Sequence, residues 1–190
     1  MHIKGDDLVI DGHHLVATRG RPALHVGGTK TKDHHRYRRL TIQNCIIDGR
    51  AQDQSEENSE WGSHIRNNGI SIRNYDHVVI RNCVIQNCKS GGIVPQHCTD
   101  VTIVNCVIRT CYWDAIAPYH CDRVRIRQCV LEHNRAAGVS LDGGCTYATI
   151  TGCTFRSNGE WDVWARDAAH VRVRGDTRPE RICIRDRYCS

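Results

Sequence analysis

No stretch of this 190-residue sequence approaches the roughly 18 consecutive apolar residues that cross a bilayer as a helix, so neither a membrane span nor a membrane partner is expected. The opening residues, Met1-His2-Ile3-Lys4-Gly5-Asp6-Asp7, lack the apolar core of a signal peptide. The expected compartment is the cytoplasm, or the exterior for a mature form whose leader has been removed. No long run carries helical periodicity. The absence of any Cys-x2-Cys pair removes the usual zinc ribbons and fingers, and no metal or other cofactor is expected. Nothing resembles a helix-turn-helix, a single-strand stacking module or a P-loop, so nucleic acid is not an expected partner. Neither sign of charge dominates. There are 26 Lys+Arg against 21 Asp+Glu, and the charged share of 25% is that of an ordinary globular chain, which excludes wholesale disorder.

Cysteine, by contrast, is abundant, with twelve in the chain. Cys83, Cys106 and Cys129 follow one another at intervals of 23, and Cys153 comes 24 later. Cys88 and Cys111 are 23 apart, as are Cys98 and Cys121, with Cys145 a further 24 along. Three series with one period point to a repeat rather than to a disulfide framework. The surrounding residues agree. Val78-Val79-Ile80-Arg81-Asn82-Cys83-Val84-Ile85 returns as Val101-Thr102-Ile103-Val104-Asn105-Cys106-Val107-Ile108 and as Val124-Arg125-Ile126-Arg127-Gln128-Cys129-Val130-Leu131. Weaker copies begin at Ala148 and Val171, and an upstream copy, Leu40 to Ile47, lies 38 residues before its successor. The excess falls around Arg50 to His64, a polar stretch read as an inserted loop.

Within each copy apolar and polar residues alternate, which is strand periodicity. A second short strand follows a turn: Gly69-Ile70-Ser71-Ile72, Gly92-Ile93-Val94-Pro95, Ala115-Ile116-Ala117-Pro118, Gly138-Val139-Ser140-Leu141 and Asp162-Val163-Trp164-Ala165. Short strands on a period of about 23 residues, with no helix, describe a parallel β-helix. Its coils stack about 4.8 Å apart and bury together a core that no single coil can close. The expected architecture is all-β: one domain over residues 1–190, with roughly six to seven coils, an insertion around 50–64 and an irregular tail at 176–190.

The pattern V-x-I-x-N-C-x-I, followed by G-I, resembles the right-handed parallel β-helix proteins of the pectate-lyase-like superfamily. The resemblance runs from about Leu8 to Arg174. It implies that the asparagine before the cysteine (Asn44, Asn82, Asn105, with Gln128 a near match and Gly152 a departure) occupies a tight turn and bonds the backbone of the next coil. It also implies that the G-I sheet lines the substrate groove. The N-T-D, D-D and G-H-G motifs of polygalacturonase-like members are not matched, nor is the calcium-ligating aspartate cluster of pectate lyases.

Alternation then assigns faces. With Ile70, Ile93, Ile116, Val139 and Val163 inward, the outward columns are Ser71, Val94, Ala117, Ser140, Trp164 and Arg73, Gln96, Tyr119, Asp142, Arg166. The turn beyond them gives Asn74, His97, His120, Gly143 and Asp167. His97 and His120, one coil apart, are expected about 5 Å from each other, where mutual repulsion would keep one imidazole neutral as a base. The plainer reading is a stack that bonds turn backbone. Lys89, Trp113, Asp114, Arg135, Glu160, Trp161 and Asp162 belong to the loops on the same edge, and indoles there suit sugar rings. Trp61 would end a loop walling the groove. The basic run His34-His35-Arg36-Tyr37-Arg38-Arg39 forms a separate cluster.

These columns favour a carbohydrate-active enzyme on an acidic, uronate-containing polysaccharide, acting by β-elimination or C5 epimerisation. Arg73 or Arg166 would neutralise the carboxylate, His97 or His120 would serve as base and Tyr119 as acid, with Asp142 orienting Tyr119 or pairing with Arg166. Gln96, Lys89, Trp113, Asp114, Trp161, Asp162 and Trp164 would contact substrate. Hydrolysis through Asp114, Asp142 and Asp162 is the variant. The alternative class is a non-catalytic glycan-binding or fibre module. Arg81, Arg109, Arg125 and Arg127 on the outer faces favour a soluble body over a fibre shaft. The open ends of the stack need cover from the tail or from a second copy in a homo-oligomer. Cys183 and Cys189 fall outside the series and are candidates to pair with each other. Thiol titration under denaturing, non-reducing conditions is expected to find at least ten of the twelve cysteines free. A count near zero would contradict the buried-thiol reading.

Overall fold

The computed structural model describes residues 1–18, 21–28, 35–53, 67–175 and 179–185. The alternating segments form three parallel sheets that run up a single stack. Sheet A contains His2–Ile3, Leu24–Gly27, Ile70–Arg73 and Ile93–Gln96, and resumes with Val139–Leu141, Val163–Arg166 and Ile182–Arg185. Sheet B contains Leu8–Asp11, Tyr37–Gln43, Tyr75–Arg81, Thr99–Val104, Asp122–Arg127, Thr149–Thr151 and Arg172–Arg174. Sheet C contains His14–Val16, Ile46–Asp48, Val84–Gln86, Val107–Arg109, Val130–Glu132 and Thr154–Arg156. Every strand pairs in parallel with the equivalent strand one coil away, so Ile80, Ile103, Ile126 and Ile150 lie in one vertical file. Sheet A is interrupted where Pro95 and Pro118 face each other. Neither has an N–H to give, and single bridges at Ile93–Ile116 and Gln96–Tyr119 carry the sheet past them.

The coil closes because its corners adopt left-handed backbone. Asn74, His97, His120, Gly143 and Asp167 have φ from 50° to 65°, and three further corner columns behave alike: His77 to His170, Asn44 to Gly152 and Asn87 to Ser157. Asn, Asp and His tolerate this region better than most residues, and glycine enters it freely. The asparagine column differs from its expected bonding. Asn44 Nδ2 donates to Asp11 Oδ1 (2.8 Å) and Asn82 Nδ2 to Asn44 Oδ1 (3.3 Å), side chain to side chain down the stack. These corners are exposed, so the amides meet each other rather than the next coil's backbone.

The core is a column of files. Leu24, Leu40, Ile42, Ile80, Ile103 and Ile126 are fully buried, and the cysteine series fill the narrow positions between sheets. The nine cysteines of the three series are buried and free, as is Cys45, whose equivalent position in the upstream copy puts it beneath Cys83. Burial pushes the Cys121 thiol well above its ordinary range, as does its neighbour Cys145. The Cys88–Cys111 file changes chemistry higher up, where Asn134 and Asn158 replace thiols. Asn134 Nδ2 donates to Asn158 Oδ1 (2.9 Å), and Asn158 Nδ2 to the Leu131 carbonyl (2.9 Å), so the buried amides are satisfied.

Of the inserted loop, Arg50 to Asp53 are described, with Ala51–Asp53 forming a 3-10 turn; Trp61 lies outside the described residues. Within the tail expected to be irregular, Ile182–Arg185 adds a strand to Val163–Arg166. Two isoleucines around one cysteine are too short a pattern to stand out in the sequence. Cys183 is free and half-buried, and Cys189 lies outside the described residues. Ile103→Ala, at the centre of the stack, is expected to cost about 2–5 kcal/mol in chemical denaturation. A loss below about 1 kcal/mol would contradict a continuous core.

Candidate functional site

The outer face of sheet A is not uniformly solvated. Ser71, Val94, Ala117 and Ser140 are buried, whereas Trp164 above them is half-buried. In the second column Arg73 (7% exposed) and Gln96 (4%) are also buried. Arg73 Nε donates to Gln96 Oε1 at 3.0 Å, and the second guanidinium nitrogen shares that acceptor. Burial lowers the Arg73 pKa. Tyr119 follows on the next coil, half-buried, and burial pushes its hydroxyl up to about 12 with help from Asp114 and Asp142. Asp142 comes next and accepts from the Gly143 N–H (2.9 Å), and Arg166 lies 3.5 Å away as its ion-pair partner. Arg73, Gln96, Tyr119, Asp142 and Arg166 therefore form one ascending file.

At the adjoining corner the His97 and His120 rings are parallel, with centroids 4.9 Å apart and planes within 10°. Burial lowers the His97 pKa first of all, followed by repulsion from His120, Arg73 and Arg36. Arg36 is the residue that sequence reasoning left in a separate basic run. Tyr37 stacks on Tyr75 (5.2 Å), which anchors that run, and Arg36 donates to the His97 carbonyl (3.2 Å) while pairing with Asp76. A register across the longer lower coils would have been needed to find it. His25 was also missed, although it lies beside Ser71 two repeat lengths back. It packs on His2 at 4.7 Å, and burial lowers its pKa to about 4. His34 lies outside the described residues.

On the other edge of the sheet, Asp114 Oδ1 accepts from the Ala137 N–H at 2.9 Å. Burial raises its pKa to about 6, and Glu160 and Asp142 push in the same direction. Trp113 is 56% exposed, and the Trp161 and Trp164 rings lie 5.8 Å apart. Lys89 and Arg135 both sit over the Tyr112 ring, at 4.5 and 5.0 Å. Asp162 is engaged elsewhere: it is buried and salt-bridged to Arg181 at 3.0 Å, which fastens the last coil. Among the described residues no three metal-ligating side chains converge.

A family model described as "Right handed beta helix region" matches residues 28–177. None of the curated proteins matches the chain. Solved structures that resemble it include the following two. One is ORF18 of Geobacillus virus E2, at 12% identity and a TM-score of 0.39, covering 90% of this chain and 51% of that one. The other is the A-module of mannuronan C-5 epimerase AlgE4 from Azotobacter vinelandii, at 11% identity and a TM-score of 0.44, covering 92% of this chain and 54% of that one. The chain thus spans about half the length of either.

Asp114 holds its proton up to about pH 6 in the fold, against an ordinary value of 3.8. Its contribution to stability is therefore complete below the ordinary value and is lost as pH rises through about 6. Asp114→Asn, which keeps an acceptor for the Ala137 N–H, is expected to raise Tm at pH 8 by on the order of 5 °C and to change it little at pH 4. Equal shifts at both pH values would contradict this account of the site.

Proposed function

This chain belongs to the right-handed β-helix family, and from that premise we propose that it is a carbohydrate-active enzyme on an acidic, uronate-containing polysaccharide, acting by β-elimination or C5 epimerisation. The observation that carries the reading is the pair of parallel imidazoles on consecutive coils, immediately beside a tyrosine whose hydroxyl stays protonated to about pH 12. Both reactions begin with removal of the C5 proton, which is acidic only when the neighbouring carboxylate is neutralised. Arg166, exposed at the top of the file, is the cation available to a ligand; the buried Arg73 instead holds positive charge beneath His97 and favours its neutral form.

His97 takes the proton, and the electron pair left on C5 delocalises into the carboxylate. In elimination that pair forms the C4–C5 double bond as the C4–O4 bond breaks, and Tyr119 gives its proton to the departing oxygen. In epimerisation His97 keeps the proton it took, and a different proton, given by Tyr119, reaches C5 from the opposite face. Trp113, Trp161, Trp164 and the Lys89–Tyr112–Arg135 stack offer rings and cations to flanking sugars. The same stack favours the second reading, a glycan-binding module without turnover. Asp114, protonated to about pH 6 near Asp142, supports the hydrolytic variant.

The test is incubation of alginate and polygalacturonate in D2O with wild type, His97→Ala, His120→Ala and Tyr119→Phe. Unsaturated ends are read by absorbance and C5 exchange by NMR. Wild-type turnover is expected, and loss of the base or acid should lower it by about 10²–10⁴-fold. With a neutral histidine as base, kcat/KM should reach half its plateau below about pH 6.5, the ordinary histidine value. Binding with neither product nor exchange on any anionic glycan would replace the enzyme reading with the binding module.

A further inference from the structure

Sheet B presents a second surface whose composition the candidate site on sheet A does not account for. Its outward columns are set by register: Thr102, Arg125, Thr149 and Arg172 in one, and Val104, Arg127, Thr151 and Arg174 in the other. Arg125, Arg127, Arg172 and Arg174 are exposed, and Thr149 and Thr151 lie half-buried between them. Two residues along a strand and two coils up the stack place the four arginine roots at the corners of a rectangle of about 7 by 10 Å. No acid stands on this part of the face. Arg125 approaches Asp100 of the neighbouring corner at 3.7 Å, and among the described residues Arg127, Arg172 and Arg174 have no ion-pair partner. The chain's formal charge is only +5, so four cations without an interspersed acid are a concentration of charge, not an average.

Keeping a sheet edge from pairing with another chain explains Arg172 and Arg174, which lie on the last described strand of sheet B. It does not explain Arg125 and Arg127, two strands further in. We propose that this arginine–threonine face is a docking platform for an anionic polysaccharide, separate from the candidate site on sheet A and independent of turnover there. Guanidinium forks bind carboxylate or sulfate bidentately, and threonine hydroxyls between them match sugar hydroxyls. A protein partner would need an apolar or aromatic centre, which the rectangle lacks. A single-stranded nucleic acid would need free aromatic faces. Among the described residues the rings bordering the rectangle are Tyr147 and His170, and they stack on each other at 4.6 Å.

The test measures binding of a fluorescently labelled oligogalacturonate in a background with the sheet A site disabled, His97→Ala with Arg166→Ser. To that background is added either Arg127→Ser/Arg174→Ser or Arg109→Ser/Arg156→Ser; the second pair removes the same charge from sheet C. Circular dichroism confirms that each variant is folded. The first pair is expected to weaken binding about tenfold and the second less than about twofold. Equal losses would reduce the effect to net charge and overturn the platform. Tighter, Arg127-dependent binding of labelled oligothymidylate would overturn it in favour of nucleic acid. Because catalysis is already disabled, a wild type without turnover would defeat the enzyme reading and leave this measurement intact.

Discussion

The constraint behind every feature of this chain is that the backbone must come back to the same place after each coil. Parallel strands bond only to the coil above and the coil below, so one coil out of step would forfeit a ring of backbone hydrogen bonds in all three sheets at once. That requirement fixes the corners, where residue after residue adopts left-handed backbone near φ of 55°. It also fixes the width of the core. At Gly69 an added Cβ would stand 2.7 Å from Ile85 and 2.8 Å from the Cys88 sulfur, and at Gly92 2.5 Å from Ile108 and the Ala115 carbonyl. Cysteine answers the same restriction, being small, apolar and content without a strong hydrogen bond.

Stacking also creates the chemistry. One residue type repeated in one column brings like groups to within a coil spacing, as with His97 and His120, and that proximity, added to burial, keeps His97 from protonating readily. Different residues in a column bring unlike groups together, as with Tyr119, Asp142 and Arg166. Sheet A and sheet B show the two outcomes of decorating an outer face. On sheet A Arg73 and Gln96 are buried and bonded to each other, and burial displaces the ionisation of Arg73 and Tyr119. On sheet B Arg127, Arg172 and Arg174 stand in solvent, with no acid paired to them among the described residues.

The fold was legible because a period of 23 is a geometric statement: it says which residues lie above one another before any strand is assigned. The columns followed from it, and so did the approach of the two histidines. Exposure did not follow. Register says that Arg73 and Gln96 point away from the core, yet whether anything covers an outward residue depends on chain from elsewhere, and both proved buried. The longer lower coils hid Arg36 and His25, because extra residues there break the period that made the other columns visible. The prolines were plain in the sequence, but their effect required seeing Pro95 beneath Pro118. The asparagine file continuing Cys88 and Cys111 escaped notice because the chemistry of the column changes while its position does not.

Long-wavelength diffraction from crystals of the chain would locate the sulfur atoms directly. The ten buried cysteines should appear as three straight files, of five, three and two atoms, with neighbours about one strand spacing of 4.8 Å apart. Sulfur positions scattered through the molecule, or paired at bonding distance, would contradict the vertical register from which the core, the histidine pair and the arginine face all follow.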